Sequence, residues 1–419
     1  MDLIVVGAGP SGCAAALTAA RAGLDVLILD KAEVFPRVKA CGDALTPRAV
    51  AALGMLGLDI PAHWHRSTGI AVYGDHDGPY VFDWPASSGL PTISCTVPRS
   101  EFDNFMLEAA TAAGAHVRLG VAVHGPVTDG KRVVGVSGDG EIWLAPAVID
   151  ATGAAARLAV PAGMPRLKQR PMGVAARGYM RAMGDEAPDE RWLHSWMAMP
   201  EPSSPEAARL VGYGWVFPMG GGLYNVGIGQ LSTSASFGRT DYKAALIDWA
   251  GTLPPAWGMT WVDADGTRAD KPEILSAALP MDLNRKVVYR NGTLLVGDAA
   301  GLVSPYDGEG VSWGLESGIW AGEAVAAAKS AGFGASEGEA ALQGYHWRVK
   351  AEIGGYYRSG ALFTKLMGNP TILAACLKFG LPRKWVMRLV NKLMAGLIAP
   401  QGGPLDDRLL RFLLRVVFP

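Results

Sequence analysis

The run GAGPSG at 7–12 restricts the fold of this chain more than any other feature. It follows an apolar stretch at 3–6 and precedes an alanine-rich stretch at 13–22. Together these segments predict a buried strand, a tight glycine turn and a helix. A strand, turn and helix in this order open the nucleotide-binding unit of Rossmann-type α/β domains, so we expect a parallel sheet with helices on its faces.

The residues of the turn suit the binding of a pyrophosphate. Gly7 permits the turn, Gly9 lets the backbone approach a phosphate, and Gly12 allows close contact between helix and strand. Pro10 stands at the start of the helix, whose free N–H groups would face the phosphate charge. The alternative interpretation is a glycine turn that binds no ligand.

A second strand is predicted at 25–29, and Asp30 and Lys31 follow it. An acidic side chain at the end of this strand accepts hydrogen bonds from the hydroxyl groups of a ribose. We therefore assign both residues to a dinucleotide site. The unit is complete at this point, but it does not distinguish FAD from NAD.

Segments later in the chain favour FAD. An apolar strand at 294–296 leads into the run GDAAG, in which Asp298 can hold the ribityl hydroxyls of a flavin. Gly308, Gly310 and Val311 stand at the start of a predicted helix. A helix N-terminus aimed at the flavin pyrimidine would stabilise the anionic reduced flavin. The alternative is an ordinary strand, turn and helix with a structural aspartate.

Two further segments belong to the same predicted domain. The run AVIDATG at 147–153 predicts a strand that returns to the nucleotide sheet and brings Gly153 to the site. Arg99 precedes a predicted helix and could reach a flavin phosphate or ring as a fixed cation, or instead cap a turn at the surface. The FAD-binding domain is therefore expected to be discontinuous and hydroxylase-like, with the segments 1–60, 98–165 and 285–330.

A substrate domain is predicted at 61–97 and 166–284, where short apolar runs alternate with glycine and proline. Such runs favour an antiparallel sheet. Tyr213, Trp215 and Phe217 alternate along one predicted strand. They can therefore line a tunnel for an apolar chain, or they form ordinary sheet core.

The C-terminal region, 331–419, predicts helices that dock on a membrane surface. Lys384, Arg388 and Lys392 recur every four residues and predict one basic face. A second basic stripe, on an otherwise apolar helix, consists of Arg408, Arg411 and Arg415. Helices of this kind lie in the membrane interface. The alternative is that both helices cap the substrate domain.

Charge and cysteine content exclude several other classes of protein. The net charge of −1 argues against nucleic acid as the main partner. The four cysteines form neither a CxxC pair nor a metal-type cluster, so we expect no metal site and a reducing compartment. The N-terminus lacks the basic and apolar regions of a secretory signal. We expect a cytoplasmic protein that is peripheral on the inner face of the membrane.

Several motifs together resemble the geranylgeranyl reductase family of FAD-dependent oxidoreductases, especially its bacterial menaquinone reductase branch. The resemblance covers about the first 330 residues. The N-terminal glycines are generic, whereas the later motifs are more specific. These motifs are GAGPSG, PRVKACGDALTPR at 36–48, PRSEFD, YGWVFP at 213–218 and GDAAGLVSPYDGEGVSWGLESG.

The resemblance implies a reductase that saturates carbon–carbon double bonds of a menaquinone side chain or geranylgeranyl group by hydride transfer from reduced FAD. It implies that Cys41 lies at the active site beside Gly42, although a buried structural thiol is the alternative. We expect Cys41, Tyr213 and Trp215 to be catalytic and Pro305 to join the aromatic residues in the substrate pocket. GxGxxG occurs once, so electrons are expected from an external donor, either NAD(P)H or a redox protein.

Two other functions stay open. One is a flavin-dependent monooxygenase or halogenase that acts on a small aromatic compound, and the other is a non-catalytic flavoprotein that binds prenyl lipids. Aromatic hydroxylases carry Asp-Gly where this chain has Ala151, Thr152 and Gly153. Halogenases carry Trp-x-Trp-x-Ile-Pro where this chain has YGWVFP. Both departures weaken the first of these two functions.

Overall fold

In the computed structural model the chain forms a mostly parallel nucleotide-binding sheet, a large antiparallel sheet and a C-terminal group of helices. The structure describes residues 1–74, 78–87, 89–197, 199, 210–234, 236–398 and 402–417. The strands are β1 (Leu3–Val6), β2 (Val26–Leu29), β3 (Ala44–Leu45), β4 (His65–Ser67), β5 (Gly69–Tyr73), β6 (Pro79–Asp83), β7 (Ser94–Thr96), β8 (His116–Arg118), β9 (Val123–Asp129), β10 (Arg132–Gly138), β11 (Glu141–Leu144), β12 (Ala147–Asp150), β13 (Met172–Ala182), β14 (Trp192–Trp196), β15 (Gly212–Gly220), β16 (Leu223–Leu231), β17 (Met259–Val262), β18 (Leu275–Pro280), β19 (Tyr289–Arg290) and β20 (Thr293–Leu295). The helices are α1 (Pro10–Arg21), α2 (Pro47–Met55), α3 (Arg99–Ala112), α4 (Tyr242–Ala250), α5 (Val311–Ala331), α6 (Ser336–Met367), α7 (Pro370–Ala375), α8 (Lys384–Met394) and α9 (Leu405–Phe412).

The first sheet has the strand order β19-β20-β12-β1-β2-β8. Leu3 of β1 pairs in parallel with Val26 of β2 and with Ala147 of β12. Strands β1 and β2 are buried along their whole length, as expected when both faces of a parallel sheet are covered. Because β1, β2, β12 and β20 run parallel, their carboxyl ends meet at one edge, and the turns that follow them build the site.

Helices α1 and α5 cover one face of this sheet and approach each other closely. A Cβ atom on Gly318 would overlap the carbonyl oxygen of Ser11, and one on Gly322 would lie 2.7 Å from the carbonyl oxygen of Ala15. Glycine at these two positions of α5 therefore permits the approach. The contact holds the glycine turn before α1 beside the N-terminal part of α5.

The second sheet has the order β17-β13-β16-β15-β14-β5-β6, with β18 also paired to β13. All of these pairs are antiparallel except that of β14 with β5. The predicted turn between β15 and β16 is present at Gly220, Gly221 and Gly222, which have φ of 93°, 62° and 76°. Positive φ at consecutive residues requires glycine in practice.

Helices α6 to α8 pack over the end of the second sheet that carries β5 and β6. Val72 of β5 shares a buried apolar cluster with Leu373, Leu377, Leu381 and Met387. The predicted fold class is thereby confirmed: a Rossmann-type FAD-binding domain, an antiparallel β domain and a C-terminal helical region. The predicted domain boundaries stay a prediction, and 200–209 of the predicted substrate domain lie outside the described residues.

The basic face predicted for α8 is wrong at Lys392. This side chain is fully buried, and its Nζ atom lies 2.5 Å from Asp407 Oδ1 and 2.9 Å from Asp406 Oδ2. Arg388 Nε donates to Asp406 Oδ2 at 2.7 Å, whereas Lys384 is exposed. A buried ammonium group needs carboxylate partners. The start of α9 supplies two of them, which the periodicity of α8 alone could not reveal.

The part of the chain that the structure describes contains neither a membrane-spanning helix nor a metal-type cluster. No helix there is long and apolar enough to cross a bilayer. No group of three or more His, Cys, Asp or Glu side chains there could hold a metal ion. All four cysteines are free thiols.

Candidate functional site

A cavity of about 700 Å³ opens at the carboxyl edge of the first sheet. Its wall runs from the glycine turn and Asp30, past Arg99 and Cys41, to Asp298 and the N-terminus of α5. Cofactor and small-molecule sites typically have volumes of about 300–1,000 Å³. We refer to it as the cofactor cavity.

The glycine turn forms one end of the cofactor cavity. Gly7 has a φ of 108°, and a Cβ atom on it would lie 2.8 Å from the carbonyl carbon of Ala151. At Gly9 an added Cβ would meet only Arg37 Nη2, at 3.4 Å, so the backbone there faces open space. Gly7, Gly9 and Pro10 line the cavity. Gly12 does not line the cavity. It lies where α1 contacts the turn closely, and a Cβ atom on it would overlap the Gly7 carbonyl oxygen.

Asp30 is held rigidly at the end of β2. Its Oδ2 accepts a hydrogen bond from the Ala8 N–H at 2.7 Å, and its Oδ1 accepts one from the Ala32 N–H at 2.8 Å. Arg37 Nη1 lies 3.7 Å from Asp30 Oδ2. Asp30 and Lys31 both line the cofactor cavity. A fixed carboxylate at this place matches the position at which a ribose is bound in Rossmann-type domains.

The opposite end of the cofactor cavity lies at the start of α5. Gly308, Gly310 and Val311 line it together with Asp298, while Gly153 lines the middle with a φ of 68°. Within the described ranges, no residue donates a hydrogen bond to the Asp298 carboxylate. Its oxygens are therefore available to the hydroxyl groups of a ligand.

Buried basic side chains line the cavity between these ends. Arg99 is buried and donates from Nε to Asp103 Oδ1 at 2.9 Å. Burial lowers the pKa of the Lys39 ammonium, and the charge of Arg99 lowers it further. Arg177 is buried as well, and its Nε and Nη1 have no hydrogen-bond partner among the described residues. Unpaired buried donors are rare in proteins, so these two nitrogens indicate a ligand with acceptor atoms.

A hydrogen-bonded network holds the loop of Cys41 and Gly42. Asn225 Nδ2 donates to the Cys41 carbonyl at 2.9 Å and to Asp43 Oδ2 at 2.8 Å, and Asn225 Oδ1 accepts from Trp215 Nε1 at 2.9 Å. Asp43 also accepts from the Tyr179 hydroxyl at 2.5 Å. Burial raises the pKa of the Asp43 carboxyl, and the nearby guanidinium of Arg177 opposes this. The network fixes the loop against the second sheet.

The three aromatic residues of β15 face this loop. Their ring centroids lie 5.7 Å apart for Tyr213 and Trp215, and 6.0 Å apart for Trp215 and Phe217. An added Cβ on Gly42 would lie 3.5 Å from both Trp215 and Phe217. The Tyr213 hydroxyl donates to the Asp307 carbonyl at 2.7 Å. The alternation along β15 therefore places all three rings on the face of the second sheet that the sequence predicted to wall a pocket.

A second cavity, of about 280 Å³, adjoins the first. The two share part of their wall, including Cys41, Gly42, Tyr213, Phe217 and Asp307. From there the second cavity extends between the second sheet and helices α6 to α8, where it is lined mainly by Ile70, Val72, Leu373, Leu377, Met387 and Val390. We refer to it as the apolar cavity.

The prediction that Pro305 lines the substrate pocket is wrong. Pro305 contributes to neither cavity. Its ring packs instead against α6, so closely that a Cβ atom on Gly360 would overlap Pro305 Cγ. The loop before α5 turns this residue toward α6 and turns Asp307 and Gly308 toward the cavities.

Sequence reasoning missed several residues of the site. Arg37, Lys39 and Asp43 belong to the run PRVKACGD, which was singled out only for its cysteine and glycine. Arg177 and Asn225 lie within ordinary strand patterns of β13 and β16, which carry no local signal of their role. Their contacts arise from the way the second sheet packs against the loop.

The residues present fit FAD. The open backbone of Gly9 and the helix N-terminus of α1 suit a pyrophosphate, and Asp30 suits a ribose. Among the described residues, none donates a hydrogen bond to the Asp298 carboxylate and none accepts one from Arg177 Nε or Nη1, so both side chains can bind the ligand in the remaining part of the cavity. The group would thus be held along its length by residues of both the glycine turn and the α5 N-terminus.

Comparison with protein families agrees with this assignment. A family model described as "FAD binding domain" matches residues 1–157, and one described as "FAD dependent oxidoreductase" matches residues 97–279. The fold and site therefore define an FAD-dependent oxidoreductase. The predicted cofactor, FAD, is confirmed.

Individual relatives narrow the class. The chain is 39% identical over 332 residues to a menaquinone reductase of Mycobacterium tuberculosis, covering 77% of this chain and 76% of the relative. It is 28% identical over 338 residues to digeranylgeranylglycerophospholipid reductase 1 of Methanothermobacter thermautotrophicus, covering 79% and 78%. A geranylgeranyl bacteriochlorophyll reductase-like structure from Thermoplasma acidophilum shares the fold with a TM-score of 0.76 and 20% identity, covering 98% and 95%. The chain belongs to the geranylgeranyl reductase family, as the resemblance predicted.

Proposed function

We propose that this enzyme saturates carbon–carbon double bonds of an isoprenoid chain, either a menaquinone side chain or a geranylgeranyl group. The observation that carries the proposal is the apolar cavity, which continues from the cofactor cavity between the second sheet and helices α6 to α8. A prenyl chain is long, narrow and uncharged, and its burial there is favourable by about 25 cal/mol per Å² of apolar surface. The printed names of the menaquinone and digeranylgeranylglycerophospholipid reductases support the same substrate class.

The side chains at the junction of the cavities have distinct tasks in this proposal. Bound FAD supplies the hydride in its reduced form. Tyr213, Trp215 and Phe217 exclude water and orient the double bond, since their rings form the wall beside the Cys41 loop. Burial raises the pKa of the Cys41 thiol, which therefore stays protonated at neutral pH. Cys41, Tyr213 and Trp215 stay our predicted catalytic residues.

Electrons are proposed to come from an external donor, either NAD(P)H or a redox protein. The single GxGxxG run supports this, because a dedicated nicotinamide domain would carry a second one. Stopped-flow reduction of the bound flavin by NADPH, NADH and reduced ferredoxin-type proteins would identify which donor class reacts.

We further propose that α9 rests on the membrane from which the prenyl substrate is taken. The exposed side chains of α9 and of the helical turn that follows it at Leu413–Val417 combine apolar and basic character: Leu405, Leu409, Phe412, Leu413 and Val416 with Arg408 and Arg415. From residue 370 to the C-terminus the chain carries eight Lys and Arg residues and two Asp residues, in a protein of net charge −1. Basic residues near an anionic lipid surface contribute about 1 kcal/mol each.

Vesicle co-sedimentation tests the membrane contact. The wild type should pellet with anionic vesicles at low salt and be released at high salt, and the charge reversals Arg408→Glu and Arg415→Glu should weaken binding. Lys131→Glu, an exposed charge reversal in the turn between β9 and β10, is the control. Arg411 is kept because it donates to the Gly402 carbonyl. Equal recovery in the supernatant with neutral and anionic vesicles would refute the contact.

Product analysis tests the proposed reaction. The purified enzyme, reduced anaerobically with dithionite, is mixed with menaquinones and with geranylgeranyl lipids, and the products are examined by mass spectrometry. A gain of two hydrogens per reduced double bond, with reoxidation of the flavin, is expected. Flavin reoxidation that requires oxygen and yields a hydroxylated or halogenated product would show the monooxygenase or halogenase function instead. Lipid binding without flavin reoxidation would show a carrier.

A further inference from the structure

The loop before α5 places a carboxyl group at the junction of the two cavities. Asp307 is among the residues that line both the cofactor cavity and the apolar cavity. The residue is half-buried. Its Oδ1 accepts a hydrogen bond from the Glu309 N–H at 3.2 Å, and its carbonyl accepts one from the Tyr213 hydroxyl. Within the described ranges, no basic side chain forms an ion pair with it.

Reduction of an isolated double bond requires a proton as well as a hydride. We propose that Asp307 is the group that donates this proton, an inference that rests on the proposed function. The carboxylic O–H bond of Asp307 breaks, and the π electron pair of the alkene forms a C–H bond with the released proton. The other alkene carbon receives a hydride with its electron pair from reduced FAD, which becomes oxidised. The Asp307 carboxylate then takes a proton from water, and the external donor restores reduced FAD.

The other acidic groups at the junction suit this task less well. Burial raises the pKa of the Cys41 thiol and of the Tyr213 phenol above their ordinary, already high values, so both are very weak acids. Glu309 Oε1 accepts a hydrogen bond from the Ser312 N–H at 2.7 Å, and its Oε2 accepts one from the Ser312 hydroxyl. Glu309 lines the apolar cavity but not the cofactor cavity. These bonds tie Glu309 to the first turn of α5.

Asp307 combines position with suitable acidity. Burial, together with the charge of the neighbouring Glu309, raises the pKa of the Asp307 carboxyl to about 7. At neutral pH a large fraction of the molecules therefore carries the proton, and the group is still a much stronger acid than a thiol or a phenol. General acids work best when their pKa lies near the working pH.

The charged and titratable groups around Asp307 come from several elements. Glu309 lies on the same loop as Asp307, Cys41 lies on the loop after β2, and Arg48 lies on α2. Three tyrosines of β15 and α6 also lie near Asp307: Tyr213, Tyr356 and Tyr357. Burial raises the pKa of each of these three phenols, so they stay neutral over the range in which Asp307 titrates. The rate of reduction should therefore fall as pH rises through about 7, as the acid form of Asp307 is lost.

The variant Asp307→Asn tests the assignment. An amide has the same shape, keeps an acceptor for the Glu309 N–H and leaves the backbone carbonyl to Tyr213, so folding and FAD binding should be unchanged. Single-turnover product formation by the dithionite-reduced enzyme should fall at least 100-fold and lose its dependence on pH near neutrality, with partial recovery in Asp307→Glu. Glu316→Gln is the matched control: Glu316 is a buried carboxylate of α5 that pairs with Arg48 at 2.8 Å and lines neither cavity.

A second measurement does not depend on turnover. Infrared difference spectra of the flavin-loaded protein between pH 5 and pH 9 should show the band of a protonated carboxyl that disappears with a midpoint near 7 and is absent from Asp307→Asn. If this band is missing from the wild type, or if Asp307→Asn reduces the lipid at the wild-type rate, Asp307 is not the donor. If the wild type itself reduces no prenyl lipid, the proposed function fails, even where the infrared band is present.

Discussion

Replacing Asn225 with alanine should both destabilise the protein and weaken FAD binding. Asn225 is fully buried and joins three parts of the site: the Cys41 carbonyl, the Asp43 carboxylate and the Trp215 indole. In Asn225→Ala the Trp215 Nε1 and the Cys41 carbonyl lose their hydrogen-bond partner. Asp43 keeps the Tyr179 hydroxyl and the Arg99 N–H.

The expected magnitude follows from the number of groups left unpaired. A buried polar group without a partner costs about 1–3 kcal/mol. Two such groups give a loss of roughly 2–6 kcal/mol in the free energy of unfolding. The lower part of this range applies if cavity water reaches the Cys41 carbonyl. Because the loop of Cys41 lines the cofactor cavity, we also expect FAD to bind about tenfold more weakly, equivalent to about 1.4 kcal/mol.

Urea unfolding followed by tryptophan fluorescence, with and without FAD, measures the first quantity, and fluorescence titration of the flavin-free protein measures the second. Asn225→Asp is an informative companion, since it keeps the acceptor for Trp215 but places a carboxyl 2.8 Å from that of Asp43. Like charges at this distance raise a carboxyl pKa in the folded state.

A folded-state pKa above the unfolded value means that stability is retained at low pH and lost as pH rises through the folded-state pKa. Asn225→Asp should therefore be closest to the wild type near pH 5 and clearly less stable near pH 8. Unchanged unfolding midpoints and an unchanged FAD affinity for Asn225→Ala would refute the role assigned to this network.

Four further substitutions, each at a single residue, have expected outcomes. Asp298→Ala should fold normally yet purify without flavin, because no described residue forms a hydrogen bond or ion pair with its carboxylate; a yellow variant with wild-type FAD affinity would contradict this. Cys41→Ser should keep FAD but reduce prenyl lipids more slowly, since Cys41 lines both cavities, and an unchanged rate and regiochemistry would remove it from the mechanism. Gly318→Ala should destabilise the protein by about 1–3 kcal/mol through overlap with α1. Gly344→Ala, in a helical position with open space, should instead stabilise it by about 0.5–1 kcal/mol; calorimetry that finds both changes equal would refute the packing argument.

The nucleotide-binding half of the site was predictable because its determinants are local. Gly7, Gly9 and Gly12 are required by a turn of six residues, and Asp30 follows from its place at the end of the next strand. Asp298 is positioned in the same way by β20. Each of these signals lies within one strand, turn or helix, so the backbone geometry of that element alone determines what the residue can do.

The substrate side was predictable only in outline. The alternation of Tyr213, Trp215 and Phe217 indicated a common face, but their partners lie far away in the chain. Asn225 reaches Cys41, which is 184 positions earlier, and Asp43, which is 182 positions earlier. Strand pattern and composition contain no signal for such contacts, because they depend on how the second sheet packs on the loop.

The two wrong predictions have the same physical origin. Pro305 was expected in the pocket and packs on Gly360 instead, and Lys392 was expected on a basic surface and is buried against Asp407. In both cases the sequence pattern placed the residue on the correct loop or helix. It could not determine which face of that loop or helix packs against a neighbouring helix. The sequence by itself thus determined the fold class and the cofactor, and it predicted Gly7, Gly9 and Asp30, which line the cofactor cavity. Only the tertiary structure decided which side chains meet at the junction of the two cavities, because Cys41, Tyr213 and Asp307 lie on segments that are far apart in the chain.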